Sequence, residues 1–115
     1  MSELLKKNKV NSNELEALLQ ERKEGKADFI LVDVREQMEY DIGHINGVDM
    51  LKPTSTFQSW AQEFLDEYRD KAIILTCRTS SRTAQVQAIF QENGMTNVID
   101  HSGGILSYRG EVVRP

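Results

Sequence analysis

The chain has 115 residues, enough for a single domain to bury a core without a metal or a disulfide. Hydrophobic residues make up 39% and charged residues 28%, a soluble globular balance, and no apolar run approaches the roughly 20 residues that span a bilayer. A net charge of −4 argues against nucleic acid as the main partner, because phosphate binding wants a surplus of Lys and Arg, although a local positive pocket can still hold a small anion. One cysteine closes no intrachain disulfide, and with the well-separated His44 and His101 it makes no structural zinc set. Met1 to Lys9 carry Lys6, Lys7 and Lys9 but neither the apolar stretch nor the cleavage site of a secretory signal, so the expected compartment is the cytoplasm. One domain is expected over residues 1–115, with residues 1–9 a flexible or helical extension.

Short apolar runs alternate with amphipathic stretches, the pattern of an α/β domain with a parallel sheet. Val10 is expected in a short first strand. Asn11 reads as a helix N-cap with Glu14 three residues on completing a capping box, Leu15, Leu18 and Leu19 fall at helical spacing, and Gly25 ends the helix. Phe29 to Val34 is continuously apolar up to Asp33, as in a strand covered on both faces. Arg35 to Asp41 reads as one or two helical turns, Gly43 and Gly47 punctuate a loop, and Val48 to Met50 reads as a third strand. After a turn at Pro53 to Thr56, the residues Phe57, Trp60, Ala61, Phe64, Leu65 and Tyr68 mark one face of a helix. Ala72 to Thr76 is a second buried strand. The helix beyond it carries Ala84, Val86, Ala88, Ile89 and Phe90 as apolar positions and ends at Gly94. Asn97 to Asp100 is a further strand, and Gly103-Gly104 opens a last helical turn.

The informative feature is the second buried strand running straight into Cys77, a polar loop and a helix. Ligands of open parallel sheets bind at the carboxyl ends of strands, and a helix N-terminus attracts anions. Arg78 and Arg82 bracket this loop with positive charge, an arrangement that favours thiolate over thiol. A lone cysteine after an apolar run is ordinarily a small buried hydrophobe. The joint placement of strand end, helix start and two arginines points instead to a nucleophile. Asp33 and Arg35 end the neighbouring strand and are candidates for the pocket rim, the alternative being that Asp33 caps the following turn and Arg35 pairs with Glu36 or Glu39. A Cys–His dyad with His44 or His101 is weaker than a structural role for each histidine.

Three segments together resemble the rhodanese homology domain. Val32-Asp33-Val34-Arg35-Glu36 with Glu39-Tyr40 and Gly43-His44-Ile45-x-Gly47 is similar to its first signature. Cys77-Arg78-Thr79-Ser80-Ser81-Arg82 is similar to its active-site loop, and Gly103-Gly104-Ile105 with Tyr108 to its closing signature. Departures are Val48 where the family usually has Ala, Tyr108 where it has Trp, and Ser80 where it often has Gly. The first two read as packing changes. Ser80 bears on the loop itself, because Gly takes positive φ freely and Ser does not.

The resemblance implies a three-layer α/β fold: a five-stranded parallel sheet in the order 3-2-4-5-1 with helices on both faces. It implies a sulfurtransferase that needs no cofactor or metal. Cys77 would take sulfane sulfur from a small anionic donor such as thiosulfate as a persulfide, then pass it to cyanide, a thiol or a protein. The amides of Arg78, Thr79, Ser80, Ser81 and Arg82 would cradle the anionic persulfide, while the Arg78 and Arg82 guanidinium groups bind the donor's oxygens. Two alternatives share the fold: a persulfide carrier or partner-binding module, and a related phosphatase or arsenate reductase. The latter enzymes have five residues between Cys and Arg, against four between Cys77 and Arg82 here.

Overall fold

In the computed structural model, which describes residues 3–115, the elements follow as β1 (Lys9–Val10), α1 (Ser12–Lys23), β2 (Ile30–Asp33), α2 (Gln37–Ile42), β3 (His44–Ile45), β4 (Met50–Leu51), α3 (Phe57–Tyr68), β5 (Ile73–Thr76), α4 (Ser81–Glu92), β6 (Val98–His101), α5 (Gly104–Ser107) and β7 (Val112–Val113). Met1 and Ser2 of the expected extension lie outside the described residues; Glu3–Lys6 is a short 3₁₀ turn whose Leu5 is buried.

Five strands form one parallel sheet in the order β1-β6-β5-β2-β4. Numbered among themselves along the chain, these strands have the expected order 3-2-4-5-1 read from the other edge. The two continuously apolar runs occupy its middle, where both faces are covered. Alternate side chains go to opposite layers. Leu31, Ile74 and Ile99 pack with Leu15, Leu18 and Leu19 of α1 and with Ile105 of α5. Val32, Ile73, Leu75 and Val98 pack with Trp60, Phe64 and Leu65 of α3 and with Val86 and Phe90 of α4. Phe90 is enclosed by rings, with centroids 5.7 Å from Phe57, 5.6 Å from Phe64 and 6.2 Å from Trp60.

The capping box at α1 is present: Asn11 Oδ1 accepts from the Glu14 amide at 2.8 Å and Glu14 Oε1 from the Asn11 amide at 2.9 Å. Two features go beyond the sequence reading. The inward face of α4 is Thr83, Val86, Gln87 and Phe90, whereas Ala84, Ala88 and Ile89 are exposed. Gln87 is buried because its Nε2 donates to the carbonyls of Asn8 and Val98, which ties α4 to β6. Gly43 to Gly47 is also more than a loop. There β3 pairs antiparallel with β7, His44 opposite Val113, in a separate two-stranded ribbon.

His101, at the end of β6, is fully buried and joins three elements. Its Nδ1 lies 2.8 Å from Thr76 Oγ1 of β5, and its Nε2 lies 2.8 Å from Ser12 Oγ of α1. Ser12 Oγ in turn lies 2.6 Å from Ser107 Oγ of α5. Burial pushes the imidazole down to about 4 from its ordinary 6.5, with the Asp100 charge pulling weakly the other way. Below pH 6.5 the unfolded chain binds a proton here that the folded chain refuses until about pH 4. The stabilisation is therefore complete above pH 6.5 and is lost as pH falls toward the folded value.

Urea unfolding should accordingly show stability falling by about 2 kcal/mol from this residue between pH 6.5 and 5. His101→Gln should flatten that segment; an unchanged slope would assign it to other groups. Truncation of Phe90 to alanine should cost about 3–5 kcal/mol by the same measurement at pH 7, and a loss under 1 kcal/mol would contradict the enclosed packing.

Candidate active site

The pairing of β2 with β5 sets Asp33 beside Thr76, so the chain leaves both strands at the same edge of the sheet. Cys77 follows β5 directly and is fully buried. Its sulfur is not sealed in hydrocarbon. The Ser80 N–H donates to Sγ over 3.1 Å, and Thr83 Oγ1 lies 3.8 Å from Sγ. The expected cradle is narrower than a full ring. Of the amides from Arg78 to Arg82, that of Ser80 is the one that donates to Sγ among the described residues.

Ser80 takes the left-handed conformation that its position was expected to demand, with φ 88° and ψ −10°. For a residue with a Cβ this costs about 1–2 kcal/mol. A compensating contact is present: Ser80 Oγ donates to Asp100 Oδ2 over 2.6 Å in a part-buried setting. A hydrogen bond to a charged group contributes about 1.5–3 kcal/mol, enough to offset the strain.

The back of the loop is held by α5. Ile105 N–H donates to the Cys77 carbonyl at 2.8 Å and Leu106 N–H to the Arg78 carbonyl at 3.2 Å. This approach needs Gly104, at φ 61°, because a Cβ there would collide with both carbonyls. With the loop's carbonyls turned toward α5, the Ser80 N–H is left to face the sulfur.

Arg82 is engaged differently from the sequence-based expectation. Its Nη1 and Nη2 donate to Glu39 Oε1 at 2.8 Å and Oε2 at 3.0 Å, a bidentate pair in a part-buried setting. Hydrogen bonding from Arg82 holds the Glu39 carboxyl down at about 2, against the opposing effect of its burial. Glu39 had no assigned role beyond its place in the signature. The local signal was present, because Glu36 and Glu39 stand in the spacing of a capping box, and Glu39 Oε1 accepts the Glu36 amide at 2.9 Å. By contrast, Arg78 is exposed, and its guanidinium makes no ion pair among the described residues. Thr79 and Ser81 are exposed beside it.

Asp33 and Arg35 do not form a pocket rim. They are 1% and 5% exposed and bind each other. Arg35 donates to Asp33 through its amide, Nε and Nη2, and reaches the Gly43 carbonyl at 2.7 Å and the Glu39 carbonyl at 3.4 Å. Two buried opposite charges have no inexpensive alternative to each other, so the pair anchors α2, and α2 carries Glu39 to Arg82. His44 stacks on Tyr40 with ring centroids 3.8 Å apart and its Nδ1 lies 3.2 Å from the Tyr40 carbonyl. Both ring nitrogens of His101 face hydroxyls. Neither histidine has a described contact with Cys77.

Residues 13–111 match the family model described as "Rhodanese-like domain". Among solved structures, the chain is similar to a rhodanese-related protein of Thermoplasma volcanium, with TM-score 0.74 and 24% identity over 93% of this chain and 98% of that one. It is also similar to a human single-domain sulfurtransferase, with TM-score 0.65 and 23% identity over 85% of this chain and 91% of that one. A curated relative is the tRNA uridine(34) hydroxylase of Pectobacterium carotovorum, 36% identical over 85 residues, which are 70% of this chain and 23% of that protein. The corresponding enzyme of Cronobacter sakazakii is 33% identical over 85 residues and 24% of its length is covered. The chain thus spans about a quarter of the length of these relatives. A match across nearly the whole chain, on a sheet with the expected strand order, makes this protein a member of the rhodanese-like domain family.

Proposed function

We propose that the chain is a sulfurtransferase that carries sulfane sulfur on Cys77, taken from thiosulfate or a persulfide donor and given to a thiophilic acceptor. The carrying observation is the Ser80 amide aimed at Sγ from a strained turn. A chain that used Cys77 only as a buried hydrophobe would gain nothing from holding that turn. In the first step the Cys77 thiolate attacks the outer sulfur of thiosulfate, the S–S bond breaks, and sulfite leaves with the electron pair. The persulfide anion remains on Cys77. An acceptor such as cyanide then attacks the outer sulfur, leaves as thiocyanate and restores the thiolate.

The two arginines have different parts in this scheme. Arg78, exposed and free of ion pairs among the described residues, binds the donor's sulfonate oxygens. Arg82, held bidentately by Glu39, braces the first turn of α4 and places positive charge beside the loop.

A persulfide carrier fed by a protein donor is the second reading, favoured by one observation. Leu106 is 63% exposed, and its amide sits on the Arg78 carbonyl, so the loop's edge offers apolar surface. The relatives named tRNA uridine(34) hydroxylase carry their matching segment within a much longer protein. RNA contact by this segment itself is disfavoured by the net charge of −4. The spacing of four residues between Cys77 and Arg82 speaks against a phosphatase, whose tetrahedral phosphate needs a wider ring of amides.

Incubation with thiosulfate should add the mass of one sulfur atom to the intact protein, and cyanide should remove it. If Cys77→Ala gains the same adduct, the assignment is wrong. Arg78→Ala should raise the thiosulfate KM by about 10- to 100-fold, the equivalent of one charge-assisted contact. Arg82→Ala should instead slow loading at saturating donor. Steady-state kinetics checks both; an unchanged rate in Arg82→Ala would take that residue out of the site.

A further inference from the structure

Behind the sulfur lies a buried carboxylate to which the proposed reaction assigns nothing. Asp100 is 1% exposed. Its Oδ2 accepts from Ser80 Oγ at 2.6 Å, and its Oδ1 accepts from Thr83 Oγ1. Ser80 and Thr83 are also the residues whose polar groups reach Cys77 Sγ, the Ser80 amide at 3.1 Å and the Thr83 hydroxyl at 3.8 Å. One carboxylate therefore holds, from behind, both groups that meet the sulfur from the front.

The hold on Ser80 has a particular consequence. Among the described residues Ser80 is the one non-glycine with positive φ, and its N–H points at Sγ only while the backbone keeps that turn. A serine without a partner relaxes toward negative φ, which turns the amide away. Asp100 is a firm anchor for the opposite pull. It lies in register with Leu75 of β5 on one side and Lys9 of β1 on the other, within the parallel sheet.

We infer that Asp100 is a positioning residue for Cys77, keeping the Ser80 amide on the sulfur. The inference rests on the proposed role of Cys77 as the sulfur-carrying nucleophile. Asp100 touches no donor atom, so its effect falls on the loading rate at saturating thiosulfate and leaves KM alone.

A double-mutant cycle between Asp100→Asn and Ser80→Gly tests it. Glycine adopts the left-handed turn unaided, so the hold on residue 80 becomes redundant in that background. Asp100→Asn should slow loading about tenfold when Ser80 is present and less than about threefold in the Ser80→Gly background. Equal losses in the two backgrounds, or a change confined to KM, overturn the inference. Should Asp100→Asn fail to fold, Ser80→Ala against Ser80→Gly decides the matter. Alanine bears the same steric cost of the left-handed turn without the tether that holds it, so slower loading in Ser80→Ala supports the role and equal loading refutes it. Alkylation of Cys77 by iodoacetamide follows the same variants without any sulfur donor. If the unaltered chain takes no sulfur from thiosulfate or from a small-molecule persulfide, the sulfurtransferase reading falls. Slower alkylation in Asp100→Asn, relieved in the Ser80→Gly background, still upholds the positioning role. Faster alkylation would mean that the carboxylate only shuts the loop, and would overturn it.

Discussion

The pairing of β2 with β5 is the constraint from which the rest follows. Both strands are apolar on both faces, so they can lie only in the middle of a covered parallel sheet. Once paired in register, they deliver Asp33 and Thr76 side by side and send the following residues out at one edge. Asp33 then captures Arg35, Arg35 fixes α2, and α2 presents Glu39 to Arg82. On the other side Thr76 leads into Cys77, whose carbonyl is taken by α5. The site is thus assembled from the sheet outward, with buried ion pairing on one flank and main-chain hydrogen bonds on the other.

Much of this was readable because the deciding signals are local. The box at Asn11 and Glu14, the unbroken runs at 29–34 and 72–76, and the aromatic stripe of α3 each announce an element within a few residues. The ribbon of β3 and β7 was not readable. Two-residue strands show no periodicity, and their partners stand far apart in the chain. The inward face of α4 could not be read from its apolar positions for a related reason. Thr83 and Gln87 are polar by composition and enter the interior only because Asp100, Asn8 and Val98 lie within reach to bind them.

At the site, the position of Cys77 at a strand end was legible from the apolar run before it, and the demand for positive φ at Ser80 from the glycine that the resembling family often has there. The partners of charged groups were not. Arg82 and Glu39 stand 43 positions apart, and Ser80 and Asp100 stand 20 apart, so which contact forms depends on tertiary placement. The Arg35 pair illustrates the same point. Sequence offered a rim position or, as the alternative, Asp33 as a turn cap with Arg35 paired to Glu36 or Glu39; the structure pairs Arg35 with Asp33 itself, because charges removed from water require each other.

Cys77 is the one cysteine within these 115 residues, and it is enclosed. Under the proposed function, a sulfur nucleophile with a resolving thiol nearby could discharge itself by forming an internal disulfide; these 115 residues hold no second thiol for that exit. Whatever sulfur the chain accepts must then depart with a second molecule, making turnover a property of encounters instead of a property of the chain alone.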